Sequence, residues 1–232
     1  QSNDINDTVL KGVFVRVLDS GMICAYSGKQ GWKHLLNINF PPRNALVITD
    51  NYLFMNENGH RGEANIIPFL DAILPEKLHI DFHILLITSE PDNKNKAWCA
   101  SLTGRMKTAI SNLNRPYNIV FEIVFHASIH KRFAISNYFT ISLDKGFDIF
   151  KTNNLSQIQE DTDIRIERVF QRMHEQEGDS GYIVSENKLQ KLKEIINTTI
   201  EYISRQNNSK NHRIFGDCNK DKSINNRLIK DV

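Results

Sequence analysis

His130, Arg132 and Asn137 stand at positions i, i+2 and i+7 of the stretch His130-Lys131-Arg132-Phe133-Ala134-Ile135-Ser136-Asn137. On an extended segment residues i and i+2 face the same side, so an imidazole and a guanidinium can address one phosphate together. The guanidinium offers a planar fork that matches two phosphate oxygens. The Asn137 amide can hydrogen-bond a phosphate or fix a ring nitrogen, but it brings no negative charge to an imidazolium. A metal reading is weaker. His126 and His130 would share an ion on a helix, but the run before them is β-rich, and four residues of strand span about 13 Å. His79 and His83 flank a strand in the same way and read as structural.

Elements able to position these residues recur along the chain. Val13–Leu18, the turn signal Asp19-Ser20-Gly21 and Met22–Tyr26 read as a β-hairpin. Ala45–Thr49 and Phe82–Thr88 are short, continuous and β-branched, as buried strands are. The first ends at Asp50-Asn51-Tyr52. Ile66, Ile67, Phe69, Leu70, Ile73 and Leu74 fall at helical spacing between them. Trp98, Leu102, Met106, Ile110 and Leu113 mark an amphipathic helix, and a third apolar strand, Ile119–Phe125, leads towards His130. Phe133–Leu143 is expected to add one or two strands. Strands alternating with helices imply a sheet with helices packed on its faces, an α/β fold. Residues 154–175 read as a polar helix, and Leu189, Leu192, Ile195, Ile196, Thr199, Ile200 and Ile203 as a second helical stripe. From Gln206 the chain is rich in Asn, Lys and Ser, which favours a flexible tail.

Composition narrows the function classes. The 232 residues suffice for one substantial domain. A net charge of +2 is too small to argue for nucleic acid by itself. No apolar run approaches the roughly 18 residues needed to span a bilayer, and the polar start carries no secretory pattern. Cys24, Cys99 and Cys218 are widely spaced, with no C-x-x-C, which fits free thiols in a reducing compartment and a cytoplasmic location.

The spacing around His130 resembles the H-x-K-x-x-x-x-D signature of the phospholipase D superfamily, with Arg132 in place of lysine and Asn137 in place of aspartate. The likeness extends further, to the phospholipase D-like domain at the C-terminus of an ESCRT-associated MIT-domain protein. That domain has D-P-Y after its first strand, which Asp50-Asn51-Tyr52 resembles. It carries H-D-R with an asparagine in register. It then has G-R-G-L-D-Y-F-K, to which Asp144-Lys145-Gly146-Phe147-Asp148-Ile149-Phe150-Lys151 is similar throughout. Lys131 replaces the family's aspartate and Phe133 its glutamate, and nothing resembles the MIT domain itself.

The resemblance implies a phospholipase D-like sheet flanked by helices, with a helical C-terminal extension. The organisation expected is an N-terminal hairpin segment over 1–45, a phospholipase D-like core over 46–152, a helical extension over 153–205 and a polar basic tail over 206–232. It also implies metal-independent chemistry without a cofactor. One histidine attacks phosphorus, a second protonates the leaving oxygen, and cationic side chains stabilise the phosphoryl group. Here His130 is the expected nucleophile, with Arg132 and Asn137 beside it. Asp50, Tyr52, Lys145 and Asp148 are the expected ligand-binding residues; a turn-forming Asp50 and a surface ion pair of Lys145 are the plainer readings. With one motif per chain, a complete site needs a symmetric partner, hence a homodimer.

The reading that follows is a degenerate superfamily member, binding a phosphate-bearing partner (DNA, RNA or an anionic lipid headgroup) with little or no turnover. A dimeric phosphodiesterase or nuclease using His130, and a protein-binding adaptor with a vestigial pocket, are the alternatives. Arg165, Arg168 and Arg172, at three and four residues apart, would share a face of a solvated mixed-charge helix.

Overall fold

The computed structural model describes residues 7–8, 13–56, 59–91, 95–125, 131–172, 182–206 and 213–229; side chains are described for these except at 7–8, 170–172, 182–184 and 204–206. His130 and His126 lie outside the described residues. In chain order the elements are β1 (Asp7–Thr8), β2 (Val13–Leu18), β3 (Ala25–Tyr26), β4 (Lys29–Gln30), α1 (Trp32–Leu35), β5 (Ala45–Thr49), α2 (His60–Ile73), β6 (Phe82–Thr88), α3 (Lys96–Ser111), β7 (Ile119–Phe125), β8 (Phe133–Ser136) and β9 (Phe139–Leu143). There follow β10 (Phe150–Lys151), β11 (Asn154–Ile158), β12 (Thr162–Arg168), β13 (Phe170–Arg172), β14 (Tyr182–Val184), α4 (Glu186–Gln206) and β15 (Arg213–Gly216).

Nine strands form one sheet in the order β1-β2-β12-β9-β8-β5-β6-β7-β15. Its centre, β5, β6 and β7, is parallel. These are the three apolar runs of the sequence, and they are buried along nearly their whole length. Both crossovers, α2 and α3, pack on the same face, where Ile66, Phe69, Leu70, Leu102 and Met106 meet Ile48, Leu86 and Ile123 in the main core. Two successive connections of one hand, stepping the same way across the sheet, put their helices on one side. The Asn95 side chain caps α3 by accepting from the Trp98 N–H at 3.1 Å.

The other face is covered by α4. Its aliphatic stripe packs Leu192 on Ile135 and Val169, and Ile203 beside Val47, Leu85 and Val124. The sheet's period of two explains both layers: Leu46 and Ile48 face α2, and Val47 faces α4. Among the described residues no helix is long and apolar enough to cross a membrane.

Three expectations are corrected. The first strand does not fold back on Met22–Tyr26: β2 pairs with β12, and β3 pairs with β4. Of residues 154–175, those described, 154–172, hold β11, β12 and β13 instead of a helix. Thr162, Ile164 and Ile166 are buried while Asp163 and Arg165 are exposed, an alternation that only a strand can use. The tail is also structured over 213–229. There β15 pairs antiparallel with β7, and Ile224, Asn226 and Ile229 are fully buried.

A polar latch holds that tail. Glu122 points from β7 to the α4 face and is fully buried. Its Oε1 accepts the Asn225 N–H at 2.7 Å, while Oε2 has no hydrogen-bond partner among the described residues. The Asn225 carbonyl lies 2.8 Å from His83 Nδ1, and Asn226 Nδ2 donates to the Leu46 carbonyl at 3.2 Å. Burial pushes the Glu122 carboxyl up from 4.5 to about 7, against the pull of the Asn225 N–H. The folded chain therefore holds a proton that the unfolded chain has lost, and Glu122's contribution to stability falls as pH rises from about 4.5 to about 7. Glu122→Gln should flatten this part of the profile and raise stability at pH 8 by up to about 3 kcal/mol. Urea melts of both proteins between pH 4.5 and 8 check this; parallel profiles would contradict it.

Candidate functional site

The parallel strands β5, β6 and β7 end together, and the crevice beyond their carboxyl ends is where open α/β sheets bind ligands. Asp50 follows β5 immediately and is almost wholly buried. Its Oδ1 accepts the Tyr52 N–H at 3.0 Å, and its Oδ2 accepts the Phe147 N–H at 2.8 Å. The first contact shapes the turn after β5, as an Asp turn does. The second pins the segment 144–148 over the strand ends. Burial raises the Asp50 carboxyl to about 6, opposed by these two N–H groups; the nearby Asp148 adds to the rise and Arg132 subtracts from it.

Gly146 makes the close approach possible. Its φ is +98°, and a Cβ there would lie 2.5 Å from Asp50 Oδ2 and 3.3 Å from Arg132 Cδ. An L side chain is strained in that conformation and has no room.

Arg132 lies just before β8, on the α2 side of the sheet with Asp50. Its Nε is 4.0 Å from Asp50 Oδ1, which makes an ion pair without a hydrogen bond. Nε is buried and has no hydrogen-bond partner among the described residues. Nη1 donates to the Asp144 carbonyl. The guanidinium lies over the Tyr52 ring, 5.2 Å from its centroid, a stacking that lysine cannot reproduce. The guanidinium is thus held from behind by a carboxylate, from one side by a carbonyl and from below by a ring. A quarter of the side chain remains exposed.

Asp148 is buried nearby, 3.2 Å from Arg61 Nε and accepting from Asn56 Nδ2 at 3.2 Å. Burial raises its carboxyl, and Arg61 pulls the other way. Lys145 is about half exposed and 3.9 Å from Glu160, so it forms the surface ion pair. Asp50, Tyr52 and Arg132 therefore meet directly. Asp148 faces Arg61, and Lys145 sits at the exposed bend between Asp144 and Gly146.

Asn137 is placed elsewhere. Because β8 runs antiparallel to β5, Phe133 pairs with Thr49 while Ser136 pairs with Leu46. Asn137 thus reaches the amino end of β5, the length of a strand away from Arg132. Its Oδ1 accepts the N–H groups of Asn44 at 2.9 Å and Ala45 at 3.3 Å, and its Nδ2 donates to Asn44 Oδ1 at 2.9 Å. The expected phosphate contact or ring-nitrogen contact is replaced by a clamp on the start of the strand.

Sequence reasoning missed Arg61, Asn56, Gly146 and the buried pair in which the Ser89 hydroxyl donates to Asn51 Oδ1. The G-F-D segment after the motif carried the signal for Gly146. Asn56 and Arg61, the latter in the first turn of α2, fall in an Asn- and Gly-rich stretch of sequence whose composition predicts only a turn.

A family model described as a phospholipase D-like domain at the C-terminus of MIT matches residues 43–171. No curated protein sequence matches the chain. Among solved structures, the phosphatidylserine synthase of Haemophilus influenzae Rd KW20 is similar at 10% identity and a TM-score of 0.34, over 88% of this chain and 40% of that one. The chain spans less than half the length of that structure.

Substitutions at two positions separate the pocket from the clamp. Asn137→Ala strips the acceptor from two N–H groups and should cost about 1–3 kcal/mol; Asn137→Asp keeps the acceptor and should cost less. Gly146→Ala should cost about 2 kcal/mol or more, from left-handed strain plus the clash with Asp50. Denaturant midpoints decide both, and a Gly146→Ala protein as stable as the parent would show that the 144–148 segment is not pinned as described.

Proposed function

The chain belongs to the family of phospholipase D-like domains found at the C-terminus of MIT proteins, and from that premise we propose that it binds a phosphate-bearing partner, nucleic acid or an anionic lipid headgroup, with little or no turnover. The observation that carries this reading is the setting of Arg132. Its guanidinium is oriented by Asp50, Asp144 and Tyr52 at the carboxyl end of the parallel strands. Such preorganisation removes much of the ordering cost of a bidentate phosphate contact. Lys145, on the exposed bend next to Asp144, would add positive charge. His130 enters from its place in the sequence, two residues before Arg132, as the imidazole that would share the phosphate. A homodimer, in a reducing compartment such as the cytoplasm, completes the proposal, since each chain carries one motif.

One observation favours the rival reading of a metal-independent phosphodiesterase. Asn137 is engaged with the backbone of β5, so the exchange of aspartate for asparagine leaves the chemistry around Arg132 unchanged. The exchange of lysine for arginine is then the departure from the H-x-K-x-x-x-x-D signature that bears on the pocket. It trades a mobile point charge for a fork already tied to Asp144.

Binding to single- and double-stranded DNA, RNA and anionic vesicles should be followed by anisotropy and co-sedimentation, with turnover measured in parallel in EDTA. Arg132→Ala should weaken binding about tenfold or more, the worth of a charge-assisted contact. Turnover should be undetectable. Cleavage that persists in EDTA and vanishes in His130→Ala would replace this reading by the enzymatic one. Binding untouched by Arg132→Ala would remove the pocket from both.

A further inference from the structure

The sheet ends at β15, whose outer edge has no neighbouring strand among the described residues. The Asp217 N–H donates to the Phe121 carbonyl at 2.9 Å, and Phe215 and Arg213 stand opposite Ile123 and Phe125. In an antiparallel pair, residues that bond across the ladder alternate with residues that do not. Arg213, Phe215 and Asp217 therefore turn their backbone groups to β7, and Ile214 and Gly216 turn theirs outward. Among the described residues the Ile214 N–H and C=O and the Gly216 N–H have no hydrogen-bond partner, and the Gly216 carbonyl meets only the Cys218 thiol, at 4.0 Å. Such a row of backbone groups is a template for another strand.

A trough of about 620 Å³ follows this edge, lined by Lys96, Ile214, Phe215, Gly216 and Lys222. Its two walls are alike in chemistry. On the α3 side Phe215 packs against Phe125, with ring centroids 5.8 Å apart, and Lys96 opens α3. On the α4 side Ile214 joins the cluster of Val124 and Ile224, and Lys222 stands in the turn that leads into Ile224. Neither ammonium has an ion-pair partner among the described residues. The other charged groups at the trough are engaged: Arg213 Nη1 donates to both Glu90 oxygens at 3.0 and 2.9 Å, and Asp221 Oδ1 accepts the Ser223 N–H and hydroxyl. No acidic residue stands in the first turn of α3, so the positive end of that helix adds to the field. Lys222 has a φ of +69°, a left-handed conformation that a lysine adopts at a cost. Glycine would close the same turn with less strain, so what lysine adds there is its ammonium.

We propose that the outer edge of β15 is the docking site for an extended acidic peptide segment of a partner protein, which adds a strand to the sheet. Its backbone pairs with Ile214 and Gly216. Its side chains alternate between the two walls, where apolar ones meet Ile214 and Phe215 and acidic ones reach Lys96 and Lys222. Backbone pairing supplies affinity, and the two ammonium groups select the charge. The same lysines disfavour a second copy of this chain, which would bring like charges to the same edge. The outward carbonyls need donors, which a peptide backbone carries and a phosphodiester backbone lacks, so a peptide fits better than a nucleic acid. Strands β6 and β7 separate β15 from β5, and the site stands independently of the phosphate reading of the Arg132 pocket.

The probe is a short labelled peptide of alternating glutamate pairs and valine pairs, followed by anisotropy with the intact chain. Its controls are the peptide with lysine for glutamate and the acidic peptide N-methylated throughout. Wild type should bind the acidic peptide, more weakly as salt rises, and neither control. Lys222→Gly relieves the left-handed strain, so it should be at least as stable as the parent and bind about two- to fivefold more weakly, as loss of one exposed charge pair predicts. Lys96→Gln, at an exposed position, should behave alike. Ile214→Pro removes an outward N–H and no bond to β7, and should abolish binding; its urea midpoint reports whether the fold survives. Equal binding of the acidic and N-methylated peptides, or of the acidic peptide by wild type and Lys222→Gly, would overturn the proposal. Dimerisation in sedimentation velocity that Ile214→Pro abolishes, without peptide binding, would assign the edge to a second copy instead. DNA or RNA binding weakened by Lys222→Gly, again without peptide binding, would assign it to nucleic acid.

Discussion

The carboxylate of Asp50, buried at the end of β5, is the constraint around which the pocket is organised. Burying it is unfavourable, as its raised proton affinity records. Two backbone N–H groups and the Arg132 charge offset that cost, and each ties a different part of the chain to the strand end. Through Tyr52 it fixes the turn that opens towards α2. Through Phe147 it fixes the segment that follows β9. That segment then carries Phe147 and Phe150 into the core, where both meet Trp32 and Phe147 also meets Phe69. The aromatic cluster and the pocket floor are therefore consequences of one another. Asn65 repeats the device a layer deeper, with its Oδ1 accepting the Phe150 N–H and its Nδ2 donating to the Phe150 carbonyl.

Much of this was legible in the chain. The parallel centre announced itself because β5, β6 and β7 are buried on both faces and so read as unbroken apolar runs. The stripe of α4 was equally plain. Failures came where one residue class serves two periods. Arg165, Arg168 and Arg172 fall at helical spacing, but the β-branched alternation of Thr162, Ile164 and Ile166 governs, because each of these buries its side chain between β2 and β9. The ordered tail was hidden for a different reason. Its polar composition suggests solvation, and only Glu122, His83 and the Leu46 carbonyl on the distant sheet explain why the Asn225 backbone and the buried Asn226 side chain dock there. Within the site, Asp50, Tyr52 and Arg132 were identifiable from residue type and place. Asn137 was not, since a linear motif does not reveal that its two ends lie at opposite ends of a strand.

The sheet order carries a consequence for synthesis. Leu18 of β2 pairs with Thr162 of β12, and β7 acquires its outer neighbour only when Arg213–Gly216 emerges. At 5–20 residues per second, on the order of ten seconds separates the appearance of β2 on the ribosome from that of its partner. The parallel centre can close in the meantime from helices and strands adjacent in sequence, but β2 waits with Phe14 and Leu18, both buried in the finished fold, uncovered. Non-local pairing of this kind slows folding and leaves sticky strands in the open. Nascent chains that stall between β9 and β12 are thus the species on which chaperones would be expected to act.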